Sequence, residues 1–475
     1  MKVLHAASEC LGIAKTGGLA DVVAALPAAQ HAMGMDVRVC LPAYPGAREK
    51  LNDARTLCTI TVRDTPFELI EGTLGADGLR IWLLDCPPLF DRPGDPYRTP
   101  EGYEHSDNHW RFGLFSEAVS LLALGAGDWQ PDVLHLHDWQ VGLAAAWTAR
   151  APQRPRIVFT IHNLAYQGVF GRDVFDALGL PGEWWQPQAL EFYGRFAFMK
   201  GGLYFADAIT TVSPNYAREI QTLEFGWGLD GVLRERASVL TGVLNGIDID
   251  TWSPTRDPLI ERNYNGATVS SAKPVNKHAL QAELGLPQSD VPMVVFIGRL
   301  AAQKGADLIL AARTGIDALD LQLVVLASGE HDLETALMQW AQEQPQRVSV
   351  TLRYDEALAH RITAAADLQL MPSRFEPCGL NQMYAQRYGT LPIARHTGGL
   401  ADTIVDANEA TLADGTASGV VFPEASADSL LLGLERGLEL LSAPKRRLAL
   451  RRAGMRRDFS WKASAERYAT LYTKL

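Results

Sequence analysis

The sequence is poor in cysteine, and the few residues it has are scattered. Cys10, Cys40, Cys58, Cys86 and Cys378 make five in 475 residues, an odd number with no CxxC pair. That excludes a disulfide-framed scaffold and reads as reduced thiols in a cytosolic protein. Long apolar runs are missing as well: no stretch reaches the roughly 18 residues of a membrane span. The N-terminus lacks a basic segment leading into an apolar one, so no secretory signal is expected. The expectation is a cytoplasmic protein with no membrane partner. Positive charge is also in deficit, with 44 Lys and Arg against 55 Asp and Glu and a net charge of -11. A nucleic-acid partner, which would need a basic stripe, is therefore not expected. An anionic substrate would have to be met by a few local cations. The glycine segment KTGGL matches neither GxxxxGK[ST] nor GxGxxG, which disfavours a P-loop and a dinucleotide cofactor.

What is present is length and rhythm. A chain of 475 residues exceeds one ordinary core, so two or three domains are expected. Short β-branched runs alternate with longer amphipathic ones. Strands are predicted at Lys2–Ala7, Asp36–Pro42, Ile81–Cys86, Asp132–His137, Arg156–Ile161 and Ala208–Val212. Helical spacing follows several of them, at Leu19–Gly34, His109–Leu124 and Val141–Arg150. The rhythm restarts at Met293–Arg299 and continues through Leu321–Ala327, Val348–Arg353, Leu368–Met371, Leu391–Ala394 and Val420–Phe422. Strand, helix, strand in repetition implies parallel sheets with right-handed crossovers.

Between the halves lies VLNGIDIDTWSP, Val243 to Pro254, whose NG and SP pairs signal turns. The reading is a first domain over 1–243, a second over 244–458, and a helical tail over 459–475 that crosses back to the first. Doubly wound domains carry their ligand crevices at the carboxyl ends of their strands. Two such domains facing each other would enclose one cleft.

The hexapeptide TGGLAD occurs twice, at Thr16–Asp21 and Thr397–Asp402. Each copy reads as a loop at a strand end, with glycines that admit a ligand and a helix N-terminus behind them. In the first copy Lys15 precedes Gly17 and Gly18, and Asp21 follows. An ammonium there can meet a phosphate held by backbone amides; a solvated surface lysine is the competing reading. In IGRLAAQKG, Arg299 and Lys304 lie five residues apart across a loop, able to converge on a diphosphate. In SRFEPCGLNQMY, Glu376 sits at a strand's mouth, suited to sugar hydroxyls or a cationic sugar centre. Cys378 reads as a small buried hydrophobe rather than a nucleophile. The amides of Gly379, Leu380 and Asn381 would open a helix able to bind phosphate.

HLHDW and TIHNLAYQG end two strands of the first domain and aim Asp138 and His162 at the crevice. His135 and His137 share a strand face, but no third or fourth ligand is expected near them, so no metal is expected. Asp248 and Asp250 form a DxD, placed by the preceding NG in a turn.

Taken together, the chain resembles the bacterial glycogen synthase and plant starch synthase family of retaining glucosyltransferases. The resemblance rests on KTGGLADVV, HLHDW, TIHNLAYQG, TTVSPNYAREI, VLNGIDIDTW, GRLAAQKG, YDEALAHRI, PSRFEPCGL and HTGGLADT, in family order across essentially the whole chain. It implies an α/β GT-B fold, two facing Rossmann-like doubly wound domains with an interdomain cleft. It implies transfer of glucose from ADP-glucose to the non-reducing 4-hydroxyl of glycogen or another α-1,4-glucan, without metal or other cofactor. Lys15, Arg299 and Lys304 would hold the diphosphate and Glu376 would be the critical carboxylate. His162 and Asp138 would lie near the transferred glucose. Asn245 and the Gly379–Leu380 amides would complete the site, with Gly17, Gly18, Asp21, Cys378 and Asn381 alongside. Three departures stand out: Leu11, Gly12 and Ile13 where the family often has Pro and Phe, Asn381 in place of Thr, and Tyr384 where related transferases carry a second glutamate. A catalytically silent glucan-binding protein of the same fold is the alternative. A phosphorylase would need a pyridoxal-bearing lysine segment, and a nicotinamide dehydrogenase a different glycine spacing.

Overall fold

The computed structural model describes residues 1–75 and 78–475. The chain divides into two units, one of Met1–Gly246 with Trp461–Leu475, the other of Ile247–Ser460. The division after Gly246 falls three residues beyond the turn-based boundary, and the return falls at Trp461 rather than Phe459.

The first unit is built on a nine-stranded sheet. Its strands are β1 (Lys2–Ala6), β2 (Asp36–Pro42), β3 (Asn52–Val62), β4 (Thr65–Leu74), β5 (Leu79–Asp85), β6 (Val133–His137), β7 (Arg156–Ile161), β11 (Ala208–Thr211) and β12 (Leu240–Gly242). The order is β12-β11-β7-β6-β1-β2-β5-β4-β3. Short strands β8 (Val169–Phe170), β9 (Glu191–Phe192) and β10 (Arg195–Ala197) form a separate antiparallel sheet. The central strands are buried along their length, as β6 with the sequence VLHLH shows, because helices cover both faces of the parallel region. The sheet is not wholly parallel: β4 pairs antiparallel with both β3 and β5. The β3–β4 hairpin escaped the sequence reading for a physical reason. Its two-residue turn is Arg63-Asp64, held at φ 46° and 62° without the Asn-Gly or Asp-Gly that usually marks such a turn. The helix Trp461–Lys474 packs Trp461, Ala465, Tyr468 and Tyr472 against Val3, Val22, Leu26, Val133 and Val158 of this unit.

The second unit carries six parallel strands: β13 (Met293–Leu300), β14 (Gln322–Gly329), β15 (Val348–Leu352), β16 (Leu368–Met371), β17 (Leu391–Arg395) and β18 (Val420–Phe422). Their order is β15-β14-β13-β16-β17-β18. The chain builds outward from β13 on one side, then returns to lay β16 on the other. In the first unit β1 holds the equivalent place, with β2 on one side and β6 on the other. Loops that follow these central pairs diverge, and such switch points are where doubly wound sheets open a crevice.

Candidate active site

In the second unit, Arg299 lies at the carboxyl end of β13, Lys304 follows that strand, and Glu376 follows β16, so the candidate charges flank the switch point. Nζ of Lys304 donates to Oε2 of Glu376 at 2.6 Å, and Oγ of Ser373 lies 2.9 Å from the same oxygen. Glu376 is only 5% exposed, so these two neighbours stand in for the water its carboxyl group has lost. Arg299 is exposed, and among the described residues its side chain meets only Gln303, through Nη2 to Oε1 at 3.5 Å. The structure thus joins Lys304 to Glu376 directly and leaves the guanidinium exposed at the end of the preceding strand.

Two loops far apart in sequence are stitched to make this pair. The N–H of Arg374 donates to the carbonyl of Gln303 at 2.8 Å, and Nε2 of Gln303 donates to the carbonyl of Phe375 at 3.3 Å. Gly305 sits at φ 68°, and a Cβ there would come within 2.2 Å of the Pro372 carbonyl oxygen, so no larger residue lets the loops touch. Asn381 opens the helix Asn381–Arg387 and donates Nδ2 to the carbonyl of Ile297 at 2.9 Å. The residue that departs from the family pattern therefore ties this helix to β13. No side chain caps the helix at Leu380. Cys378 is buried, as a small hydrophobe would be.

The two TGGLAD copies do different work. At Gly398 and Gly399 a Cβ would collide with the carbonyl oxygens of Glu376 and Cys378, at 1.9 and 2.1 Å. That glycine pair admits the chain's own 376–378 segment and holds the carboxylate loop in place. At Gly17 and Gly18 nothing lies within 4 Å of an added Cβ. The first pair borders open space; the second is packing.

In the first unit, Lys15 pairs with Asp21 at 2.8 Å, the ammonium remaining partly exposed. The loop before it is held by Glu9, a residue the sequence reading passed over. Its buried carboxylate accepts from the N–H and hydroxyl of Thr16 at 2.5 and 2.6 Å, from the N–H of Gly17 at 3.2 Å, and from the hydroxyl of Tyr97 at 2.5 Å. The amides expected to face a phosphate at Thr16 and Gly17 are thereby engaged by an internal carboxylate. The only sequence clue to Glu9 is an acid within the otherwise apolar and small run that follows β1.

Asp138 and His162 come together. Oδ1 of Asp138 accepts from the backbone N–H of His162 at 2.7 Å and of Asn163 at 3.4 Å. Asp138 has φ 62° although it is not glycine, a strained conformation of the kind concentrated at functional sites. Burial pushes its carboxyl up to about 7, with the nearby Glu9 adding to the rise. Burial likewise pushes His162 down to about 3, so its ring is neutral at physiological pH. Asn245 is buried on the segment after β12, and among the described residues no hydrogen bond joins its side chain to another candidate.

One expectation fails. The His135–His137 pair does have a third histidine beside it, because β1 lies next to β6 and places His5 within ligand distance of both. Two positions apart in sequence had hidden a neighbour brought in by sheet pairing. The three rings nonetheless have other occupations: each of their six nitrogens already has a hydrogen-bond partner. The DxD behaves as a turn, with Oδ1 of Asp248 accepting from the N–H of Asp250 and Thr251 at 2.9 and 3.0 Å.

Comparison with known proteins bears on this arrangement. Residues 2–235 match the model of the starch synthase catalytic domain, and residues 280–457 match that of glycosyl transferases group 1. Glycogen synthase 2 of Nitrosococcus oceani is 49% identical over 480 residues, covering 100% of this chain and 97% of its own. Glycogen synthase of Thioalkalivibrio sulfidiphilus is also 49% identical, covering 100% of both chains. Among solved structures, the catalytic domain of starch synthase IV from Arabidopsis thaliana, bound to ADP and acarbose, superposes with a TM-score of 0.89 at 35% identity, covering 99% of this chain and 98% of that one. Sucrose-phosphate synthase from Thermosynechococcus elongatus shares the fold alone, with a TM-score of 0.62 at 19% identity over 100% of this chain and 98% of its own.

Proposed function

This chain belongs to the glycogen and starch synthase family of GT-B glucosyltransferases, and on that premise we propose that it transfers glucose from ADP-glucose, with retention, to the non-reducing 4-hydroxyl of an α-1,4-glucan. The observation that carries the reading is the Lys304–Glu376 pair beside Arg299 at the switch point of the second unit. A sugar nucleotide reacts as its diphosphate leaves, and preorganised cations stabilise the charge that develops. Arg299 supplies a planar fork and Lys304 a compact charge, in the role a divalent ion fills elsewhere. Lys15 adds a further cation from the first unit. The Gly379 and Leu380 amides, with Cys378 and Asn381 behind them, contact the donor from the second.

Glu376 positions the sugar and stabilises positive charge at its anomeric centre rather than attacking it. Asp138 and His162 address the transferred glucose, while Gly17, Gly18, Asp21 and Asn245 border substrate. The first unit takes the acceptor glucan and the second the nucleotide sugar. Support for these ligand classes comes from the ADP and acarbose named with the starch synthase IV structure. No helix among the described residues is long and apolar enough to cross a membrane, and we place the enzyme in the cytoplasm.

The test is labelled glucose transfer to glycogen from ADP-glucose and from UDP-glucose, both in EDTA, with the anomeric configuration of the new linkage read by NMR. Incorporation from ADP-glucose as α-linkages is the expected result. Activity only with UDP-glucose would overturn the donor, and no transfer from either would favour a silent glucan-binding protein.

A further inference from the structure

A buried chain of hydrogen bonds runs through the first unit and ends at His162. His5 stands on β1, His135 and His137 on β6, and His162 just beyond β7. Gln30 comes from the helix Gly18–Ala32 and Tyr472 from the helix Trp461–Lys474. His5, His135, His137 and Gln30 are fully buried, and Tyr472 and His162 nearly so. Nε2 of Gln30 donates to the hydroxyl of Tyr472 at 3.1 Å, and its Oε1 lies 2.8 Å from Nε2 of His5. Nδ1 of His5 is 2.9 Å from Nε2 of His137, and Nδ1 of His137 is 2.9 Å from Nε2 of His162.

With the amide oxygen of Gln30 facing His5, these contacts set the position of every proton. An amide oxygen only accepts, so His5 must carry its proton on Nε2. A neutral imidazole has one N–H, which leaves Nδ1 of His5 bare and requires Nε2 of His137 to donate to it. The same logic makes Nε2 of His162 the donor to His137. The other branch agrees: Tyr472, having accepted from Gln30, donates to Nδ1 of His135 at 2.6 Å, and Nε2 of His135 donates to the hydroxyl of Thr160 at 2.6 Å. Burial keeps the four rings neutral, with His5 pushed down to about 4 and His162 to about 3. Among the described residues Nδ1 of His162 has no hydrogen-bond partner.

We propose that Gln30 is a positioning residue which, acting through His5 and His137, holds His162 in its Nε2–H tautomer and presents Nδ1 as an acceptor to a sugar hydroxyl. The opposite tautomer would offer an N–H where the hydroxyl must donate. For its catalytic consequence the inference rests on the role proposed above for His162; the tautomer itself does not.

The experiment is long-range proton–nitrogen correlation of the full chain labelled at histidine nitrogens, with His162 assigned by the signals lost in His162→Asn. The expected wild-type pattern is a protonated Nε2 and a bare Nδ1 on His162. Gln30→Met removes the amide, and the two nitrogens should move toward a common intermediate shift while kcat falls about five- to tenfold, the effect of one misdirected neutral hydrogen bond. Tyr472→Phe leaves the amide free to turn and should give the same drift, which covers the case in which Gln30→Met does not fold. A protonated Nδ1 on wild-type His162, or unchanged His162 signals in either folded variant, would overturn the proposal. Absence of glucosyl transfer in the wild type would instead strike the functional reading, and the spectra would still decide the tautomer.

Discussion

The ammonium of Lys304 and the carboxylate of Glu376 neutralise each other at 2.6 Å across two loops separated by 72 residues. Removing the lysine should therefore have two effects. Lys304→Ala should lower kcat by about 10²–10³, as expected for a lost electrostatic stabiliser. It should also lower stability by about 1–3 kcal/mol, because the carboxylate stays buried without its cation. Lys304→Ala/Glu376→Ala should recover much of that stability in urea titrations and none of the activity. Equal destabilisation of the single and double variants would show that the unpaired carboxylate is not what costs stability.

Arg299 separates the two effects. Its only side-chain partner among the described residues is Gln303 at 3.5 Å, and it is exposed. Arg299→Ala should melt with the wild type and still lose about 10²–10³ in kcat. Retained elongation in this variant would remove it from the site.

Asp138 gives a pH signature. Its folded pKa, about 7, lies above the ordinary carboxylate value of 3.8, so the folded state binds the extra proton and the stability this confers is lost as pH rises through about 7. Asp138→Asn keeps an acceptor for the N–H of His162 and carries no charge. Its stability relative to wild type should grow by about 3 kcal/mol from about pH 5 to about pH 8, while glucosyl transfer falls. A constant difference across that range would mean the carboxylate ionises as it does in water.

The buried histidines have the opposite sign. The folded pKa of His5 is depressed to about 4. Its contribution is therefore complete above about pH 6.5 and is lost as pH falls through about 4. His135, His137 and His162 are depressed by the same cause, loss of water around the charged ring. Hydrogen exchange should show β1 and β6 losing protection on acidification before β13 and β14 do. Simultaneous loss in both units would count against it.

Asn381 replaces the threonine usual in the family and spends its side chain on the Ile297 carbonyl. Asn381→Thr should lower stability by about 1 kcal/mol, one hydrogen bond's worth, with the ADP-glucose KM within about threefold of wild type. A tenfold change in KM would instead make the side chain a donor contact.

Much of the architecture could be read from the sequence because parallel strands buried on both faces are continuous apolar runs. Asp36–Pro42, Arg156–Ile161, Leu368–Met371 and Val420–Phe422 have the same limits in the structure as in the sequence reading. The antiparallel edge was hidden, since β3 is largely exposed and its turn uses Arg63 and Asp64. Candidate residues next to strand ends were legible from glycines and charges placed after apolar runs. Glu9, Gln30, His5 and Tyr472 were not, because their partners are brought in by sheet pairing, helix packing or loop closure and leave no local pattern in the sequence. Even the shortest separations in the histidine chain, His5 to Gln30 and His137 to His162, span 25 positions.

The helix that completes the first unit has a consequence for how the protein is made. Trp461–Lys474 is synthesised only after the whole second unit, yet its Tyr472 closes the bond chain of His5 and Gln30, which precede that unit in the chain. Until it arrives, the apolar face formed by Val3, Val22, Leu26 and Val133 is uncovered and Gln30 has no hydroxyl to meet. The second unit, by contrast, has emerged in full by then. The first unit, begun before the second, is thus completed after it, and a nascent chain stalled short of residue 461 would present a bare hydrophobic face to chaperones and proteases.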